Sequence, residues 1–276
     1  MKQRILSGIL MLPAAAFFYF GGKALILGML AIALIGLYEF YKGWERAGSK
    51  PCPWIGYVAA VVLYGLGWFT LDQGLREVDF PQYLAWFFLV MLSSCTVLFR
   101  RKDHSLADGV ITAFGAFYVV YFSYHVVLTE YYFHSAVWFI VLTAFGTDIF
   151  AYFVGVLIGK HKLCPDISPK KTVEGAVGGI FGSLLLCGIF AWIFNPEWLL
   201  PALMIGFFGS FFAQLGDLTA SIFKRKMGIK DFGNLIPGHG GILDRFDSIL
   251  FTGPFVYYFM CYYMLITEGT HLVGTV

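Results

Sequence analysis

The chain has 276 residues, of which 59% are apolar, 19% aromatic and only 13% charged, at a formal net charge of +2. Ordinary soluble domains carry about 25% charged residues, so this balance excludes an ordinary soluble domain and points to an all-α, polytopic integral membrane protein, for which no nucleic-acid partner is expected. Five cysteines, Cys52, Cys95, Cys164, Cys187 and Cys261, show neither CxxC nor Cys/His ligand spacing, so neither a disulfide framework nor a zinc site is indicated.

Taken in chain order, windows of about 20 apolar residues predict nine spans: 5–20, 24–41, 54–70, 82–99, 109–128, 136–159, 173–194, 198–223 and 247–267. The first follows a short basic start and reads as a retained span, not a cleaved signal. Glu39, near the end of the second span, reads as interfacial. Loop 42–53, with Lys42, Arg46 and Lys50, and the run Arg100, Arg101 and Lys102 read as orientation signals and headgroup contacts. Alternating sides places 17 of the 19 Lys/Arg on one face, with only Lys23 and Arg76 on the other. By the positive-inside rule the N-terminus is cytoplasmic and the C-terminus outside. A single integral domain is expected, with N-terminal spans in 1–135, catalytic spans in 136–276, and cytoplasmic loops at 160–172 and 224–246.

Chemistry concentrates late in the chain. Asp148 lies deep in the sixth span, where a carboxylate is expensive and marks a functional candidate. Loop 160–172 brings Ser168, Lys170, Lys171 and Thr172 to the cytoplasmic mouth, and Thr172 can cap the helix that follows. The glycines of the seventh span suit tight helix packing. Asp217, Ser221 and Lys224 follow at i, i+4 and i+7, which gives them one helix face, and Asp244 and Asp247 share a face at i, i+3. Between these ends lie Arg225, Lys230, Asp231, His239, Gly240, Gly241 and Arg245, a basic loop whose glycines allow close approach to a ligand. Carboxylates that hold a hard divalent cation, with Lys and Arg covering the remaining negative charge, are what an anionic phosphate substrate demands. His239 reads as a substrate contact, with no acid/base role assigned.

The run S-x-x-K-R-x4-K-D-x-G-x2-I-P-G-H-G-G-x-x-D-R-x-D, residues 221–247, resembles the signature of the phosphatidate cytidylyltransferase family, and SPKKTxEG at 168–175 resembles a second segment of the same family. The resemblance implies attack of phosphatidate, drawn from the cytoplasmic leaflet, on the α-phosphorus of CTP, giving CDP-diacylglycerol and pyrophosphate. Asp217, Asp244 and Asp148 would hold one or two Mg²⁺, Asp247 and Lys224 would complete the catalytic set, and the remaining basic and hydroxyl residues would bind substrate. It also implies a homodimer and a bacterial inner membrane with the site facing the cytoplasm. Two rivals share parts of the pattern. A CTP-dependent lipid kinase would use the same nucleotide and metal but move the γ-phosphate, and a transporter would need polar residues across the bilayer, where this chain has them on one face.

Overall fold

The computed structural model describes residues 17–70, 79–97, 99, 104–235, 238 and 240–268. Most of the expected first span, the run Arg100 to Lys102 and His239 lie outside the described residues. The chain divides into two compact units that interleave along the sequence, one from Met1–Val127 with Lys224–Phe246, the other from Leu128–Phe223 with Asp247–Val276.

In the first unit, α1 (Gly22–Arg46) starts where Gly21 and Gly22 take positive φ, and buries Leu25, Met29, Ala33, Leu37 and Phe40. It stops in a Schellman turn, the Gly48 amide donating to Glu45 and the Ser49 amide to Trp44, with Gly48 at φ 91°. Pro51 and Pro53 follow, and α2 (Pro53–Thr70) begins. After α3 (Asp79–Val97), Ser105 and Asp108 form a capping box that opens α4 (Leu106–Gly115). Asp108 also accepts from the Lys50 amide at 2.6 Å, which ties the start of α4 to the loop after α1. The helix runs on through a π-helical segment, Ala116–Tyr121, into α5 (Phe122–Phe133). Tyr41 anchors this packing: its hydroxyl donates to the Thr112 carbonyl at 2.8 Å, and its ring fills the space that side chains at Gly56 and Gly115 would occupy.

In the second unit, a short 3₁₀ turn at His134–Ala136, with His134 at φ 38°, separates α5 from α6 (Val137–Ile158). Helix α6 lies along α7 (Val173–Phe194), and glycines make the close approach possible: a Cβ at Gly179 would sit 2.9 Å from the Thr147 carbonyl oxygen, and one at Gly175 2.7 Å from that of Ala151. Between α6 and α7 the chain forms a small antiparallel hairpin, β1 (Lys162–Cys164) with β2 (Ser168–Thr172), pairing Lys162 with Thr172 and Cys164 with Ser168. A 3₁₀ turn, Pro196–Trp198, leads into α8 (Leu199–Lys226), and the final described helix is α9 (Leu243–Glu268). Phe212 of α8 stacks on Phe255 of α9 with ring centroids 4.5 Å apart.

Among the described residues, six stretches are helical, long and apolar enough to cross a membrane, and Gln82–Val97 is a shorter apolar helix. The longest, Leu106–Ile158, has 53 residues, against about 20 for one crossing. The expectation 109–128 and all but the last residue of 136–159 fall inside this one helical run, because its turn at His134 breaks the helix without a polar loop. The fold is that of an all-α membrane protein. Among the described residues its departure from that class is the hairpin at 162–172, where the sequence reading has only a loop.

Candidate functional site

Asp244 organises the polar loop of the first unit. It stands in the first turn of α9, its side chain 3% exposed, and Lys224 near the end of α8 donates to its Oδ1 at 2.8 Å. Its Oδ2 accepts from the Phe232 amide at 2.8 Å and the Gly241 amide at 2.9 Å. A buried carboxylate is costly unless donors replace its water, and here one ammonium and two amides do so. Gly240, at φ 86°, passes so close that a Cβ would meet Asp244 Oδ2 at 2.7 Å. The Lys224 ammonium also sits over the Phe232 ring, 5.4 Å from its centroid.

Around this knot the other expected substrate residues differ in exposure. Arg225, Lys230 and Asp231 are exposed, Gly241 is buried, and Arg245 is half-buried. Among the described residues the buried Nε of Arg245 finds no hydrogen-bond partner, and a guanidinium so placed has donor capacity left for an anion. The expectation for His239 lies outside the described residues.

A second set of carboxylates belongs to the other unit. Asp217, on α8, pairs with Lys171 of β2 at 2.5 Å, the two side chains being 29% and 26% exposed. One helical turn further on, Ser221 is half-buried. Gly216 places α8 against α9: a Cβ there would come within 2.5 Å of the Asp247 carbonyl oxygen. Asp247 is buried and bonds the Ser248 amide at 2.8 Å, and the Ser248 hydroxyl donates to Asp148 of α6 at 3.2 Å. Asp148, Asp217 and Asp247, distant in sequence, are thus linked through Ser248 and Gly216.

At the mouth of this unit, Thr172 is the N-cap of α7, accepting from the Gly175 amide at 3.1 Å. Ser168 is half-buried and Lys170 exposed on β2. Glu174 in the first turn of α7 turns back to accept from the Lys160 and His161 amides and the His161 ring, the last at 2.6 Å, which fastens the hairpin to the helix.

Sequence reasoning misses one residue of this apparatus. Glu39 of α1, 4% exposed, accepts from the amides of Ile242 and Leu243, at 3.1 and 2.8 Å, at the start of α9. The signal that marks Asp148, an acid inside an apolar helix, is present at Glu39 in weaker form, seven residues from the end of its helix.

Among the described residues no group of three or more His, Cys, Asp or Glu side chains is gathered as a ready metal cage. The donors available are nevertheless carboxylates and hydroxyls, the hard oxygen ligands that suit Mg²⁺, and a protein that supplies one or two carboxylates and leaves the rest of the shell to water and phosphate needs no such cage. In kind, the residues fit.

A family model described as "Cytidylyltransferase family" matches residues 2–263. The phosphatidate cytidylyltransferase of Bacillus subtilis is 36% identical over 273 residues, covering 94% of this chain and 97% of its own. That of Synechocystis sp. is 33% identical over 291 residues, covering 94% and 96%, and that of Staphylococcus haemolyticus is 36% identical over 259 residues, covering 92% and 96%.

Proposed function

Because the chain belongs to the cytidylyltransferase family, we propose that it transfers the cytidylyl group of CTP to phosphatidate, as the names of its relatives describe. A phosphate oxygen of the lipid forms a bond to the α-phosphorus of CTP. The bond from that phosphorus to the α–β bridging oxygen breaks, and its electron pair leaves with pyrophosphate. The lipid is itself the nucleophile, so no protein nucleophile is required, and the protein's work is positioning and charge neutralisation.

The observation that carries this reading is that carboxylates flanking the loop are held by lysines, Asp217 by Lys171 and Asp244 by Lys224. A polyanionic substrate needs these cations, and a carboxylate that gives one up becomes a metal ligand. Mg²⁺, one ion or two, would be held by Asp217, Asp148 and Asp244, with Asp247 in the catalytic set, and would supply charge neutralisation at the reacting phosphates. Lys224, Arg225, Lys230 and Arg245 bind triphosphate and lipid phosphate, and the Nε of Arg245, without a partner among the described residues, suits that role. Ser221, Asp231, His239, Gly240 and Gly241 line the same substrate, while Ser168, Lys170, Lys171 and Thr172 close the nucleotide side.

The remaining elements of the proposal rest on sequence. They are nine spans, a cytoplasmic N-terminus, a site opening on the cytoplasmic face of a bacterial inner membrane where CTP is found, phosphatidate entering from that leaflet, and a homodimer.

The test is incubation of purified protein with phosphatidate and α-labelled CTP, with and without Mg²⁺, following label into the lipid phase. Metal-dependent lipid labelling with equimolar pyrophosphate is expected. Lipid labelled only from γ-labelled CTP would replace this reading with that of a lipid kinase.

A further inference from the structure

We infer that Glu39 is a positioning residue for the loop that holds the nucleotide, acting through the first turn of the helix that carries Asp244 and Asp247. One face of α1 receives the whole segment. Leu243 lies over Gly36, where a Cβ would meet its Cδ1 at 3.7 Å, and Met227 and Ile229 lie over Gly43, where a Cβ would come within 2.5 Å of the Met227 Sδ. Gly36, Glu39 and Gly43 follow at i, i+3 and i+7, so they form a single stripe. Midway along it stands the carboxylate, its two oxygens taken by the Ile242 and Leu243 amides.

Those amides are among the donors that an α-helix leaves unsatisfied at its start, where the dipole also favours negative charge. Side chains normally meet this need from within the helix's own first turn or its N-cap. Here the acceptor comes from 203 residues away. Gly233 and Gly241 press against the same carboxylate, with Glu39 Oε1 as the nearest atom that a Cβ on either would meet. The acid therefore fixes three points of one loop: its middle at Gly233, its end at Gly241, and the helix that follows. Asp244 then closes the loop from inside, through Phe232 and Gly241. Glu39 packs against Gly241 and holds the amides that open α9, so its effect reaches the chemistry through the placement of Asp244, Arg245 and the glycine turn.

The kinetic part of this inference rests on the proposed cytidylyl transfer, and the structural part does not. Glu39→Gln keeps the shape but turns an amide N–H₂ toward one of the two backbone donors and removes the charge. Hydrogen exchange in peptides covering 230–245 is expected to accelerate on the order of tenfold or more, the scale of losing one charge-assisted hydrogen bond, while peptides of α2 remain as in the wild type. KM for CTP is expected to rise about tenfold, a change that a smaller folded fraction cannot produce. Gly233→Ala pushes the same carboxylate from the loop side without altering any charge and is expected to shift both readings in the same direction. Wild-type exchange and wild-type KM in Glu39→Gln would overturn the inference; if that variant does not fold, the same two readings on Gly233→Ala decide it. Should the wild-type protein show no transfer from CTP at all, the proposed reaction fails, and the exchange measurement still decides the role of Glu39.

Discussion

The ammonium of Lys171 lies 2.5 Å from the carboxylate of Asp217, joining the hairpin at 168–172 to α8 across 46 residues of sequence. Both side chains keep more than a quarter of their surface exposed, so the pair contributes little to stability, about 1 kcal/mol or less. Under the proposed reaction its importance is chemical. Asp217→Asn is expected to lower kcat on the order of 100-fold or more, the scale of losing one preorganised electrostatic group, with the unfolding temperature in detergent unchanged. An Asn variant with full activity would remove Asp217 from the metal-binding set. Lys171→Met is expected to raise KM for CTP and to leave Mg²⁺ able to support turnover.

Asp244 behaves differently because its surroundings do. Its side chain is 3% exposed and satisfied by Lys224 and two amides. Asp244→Ala would strand a half-buried ammonium and two buried amide donors, and is expected to destabilise the protein by about 3 kcal/mol. A chemical or thermal unfolding series on the purified protein checks it. A loss confined to activity, with no loss of stability, would contradict the organising role that its hydrogen bonds describe.

Gly216 offers a purely steric test. Any side chain there meets the Asp247 carbonyl oxygen, an atom of backbone that cannot rotate away. Gly216→Ala is expected to force α8 and α9 apart locally, costing about 1 to 3 kcal/mol, and to lower activity through displacement of Asp247. A crystal or cryo-EM structure of the variant with α8 in its wild-type place would refute the argument.

At Thr172 the expectation concerns the helix start alone. The hydroxyl accepts from the Gly175 amide, and Gly155 and Gly159 crowd around it. Thr172→Ala is expected to cost about 1 kcal/mol, and Thr172→Ser, which keeps the acceptor, a fraction of that; comparison of their unfolding midpoints separates the cap from the methyl group.

How legible these features are in the sequence depends on the range of each interaction. Asp217, Ser221 and Lys224 fall on one face of α8 because helical spacing is local, and the N-cap at Thr172 follows from the same local rule. The membrane class follows from composition. The pairing of Lys171 with Asp217 and of Ser248 with Asp148 does not, since contacts spanning 46 and 100 residues leave no periodic trace. Glu39 reads as interfacial for the same reason: its partners are backbone amides, which every residue but proline possesses, so no side chain at 242 or 243 announces the contact. The hairpin is hidden by shortness, two strands of three and five residues in a segment rich in lysine and proline.

The long reach of Glu39 bears on how the protein is made. Synthesis runs from the N-terminus, so the acid on α1 emerges some 200 residues before the amides that will receive it. A charge lodged at the centre of the bilayer during that interval would be costly. Glu39 stands seven residues from the last residue of its helix, Arg46, near enough to the end for water to solvate it until α9 arrives. The loop at 227–242 thus acquires its template early and its fastening last, and the C-terminal half expressed by itself would lack the helix against which that loop is set.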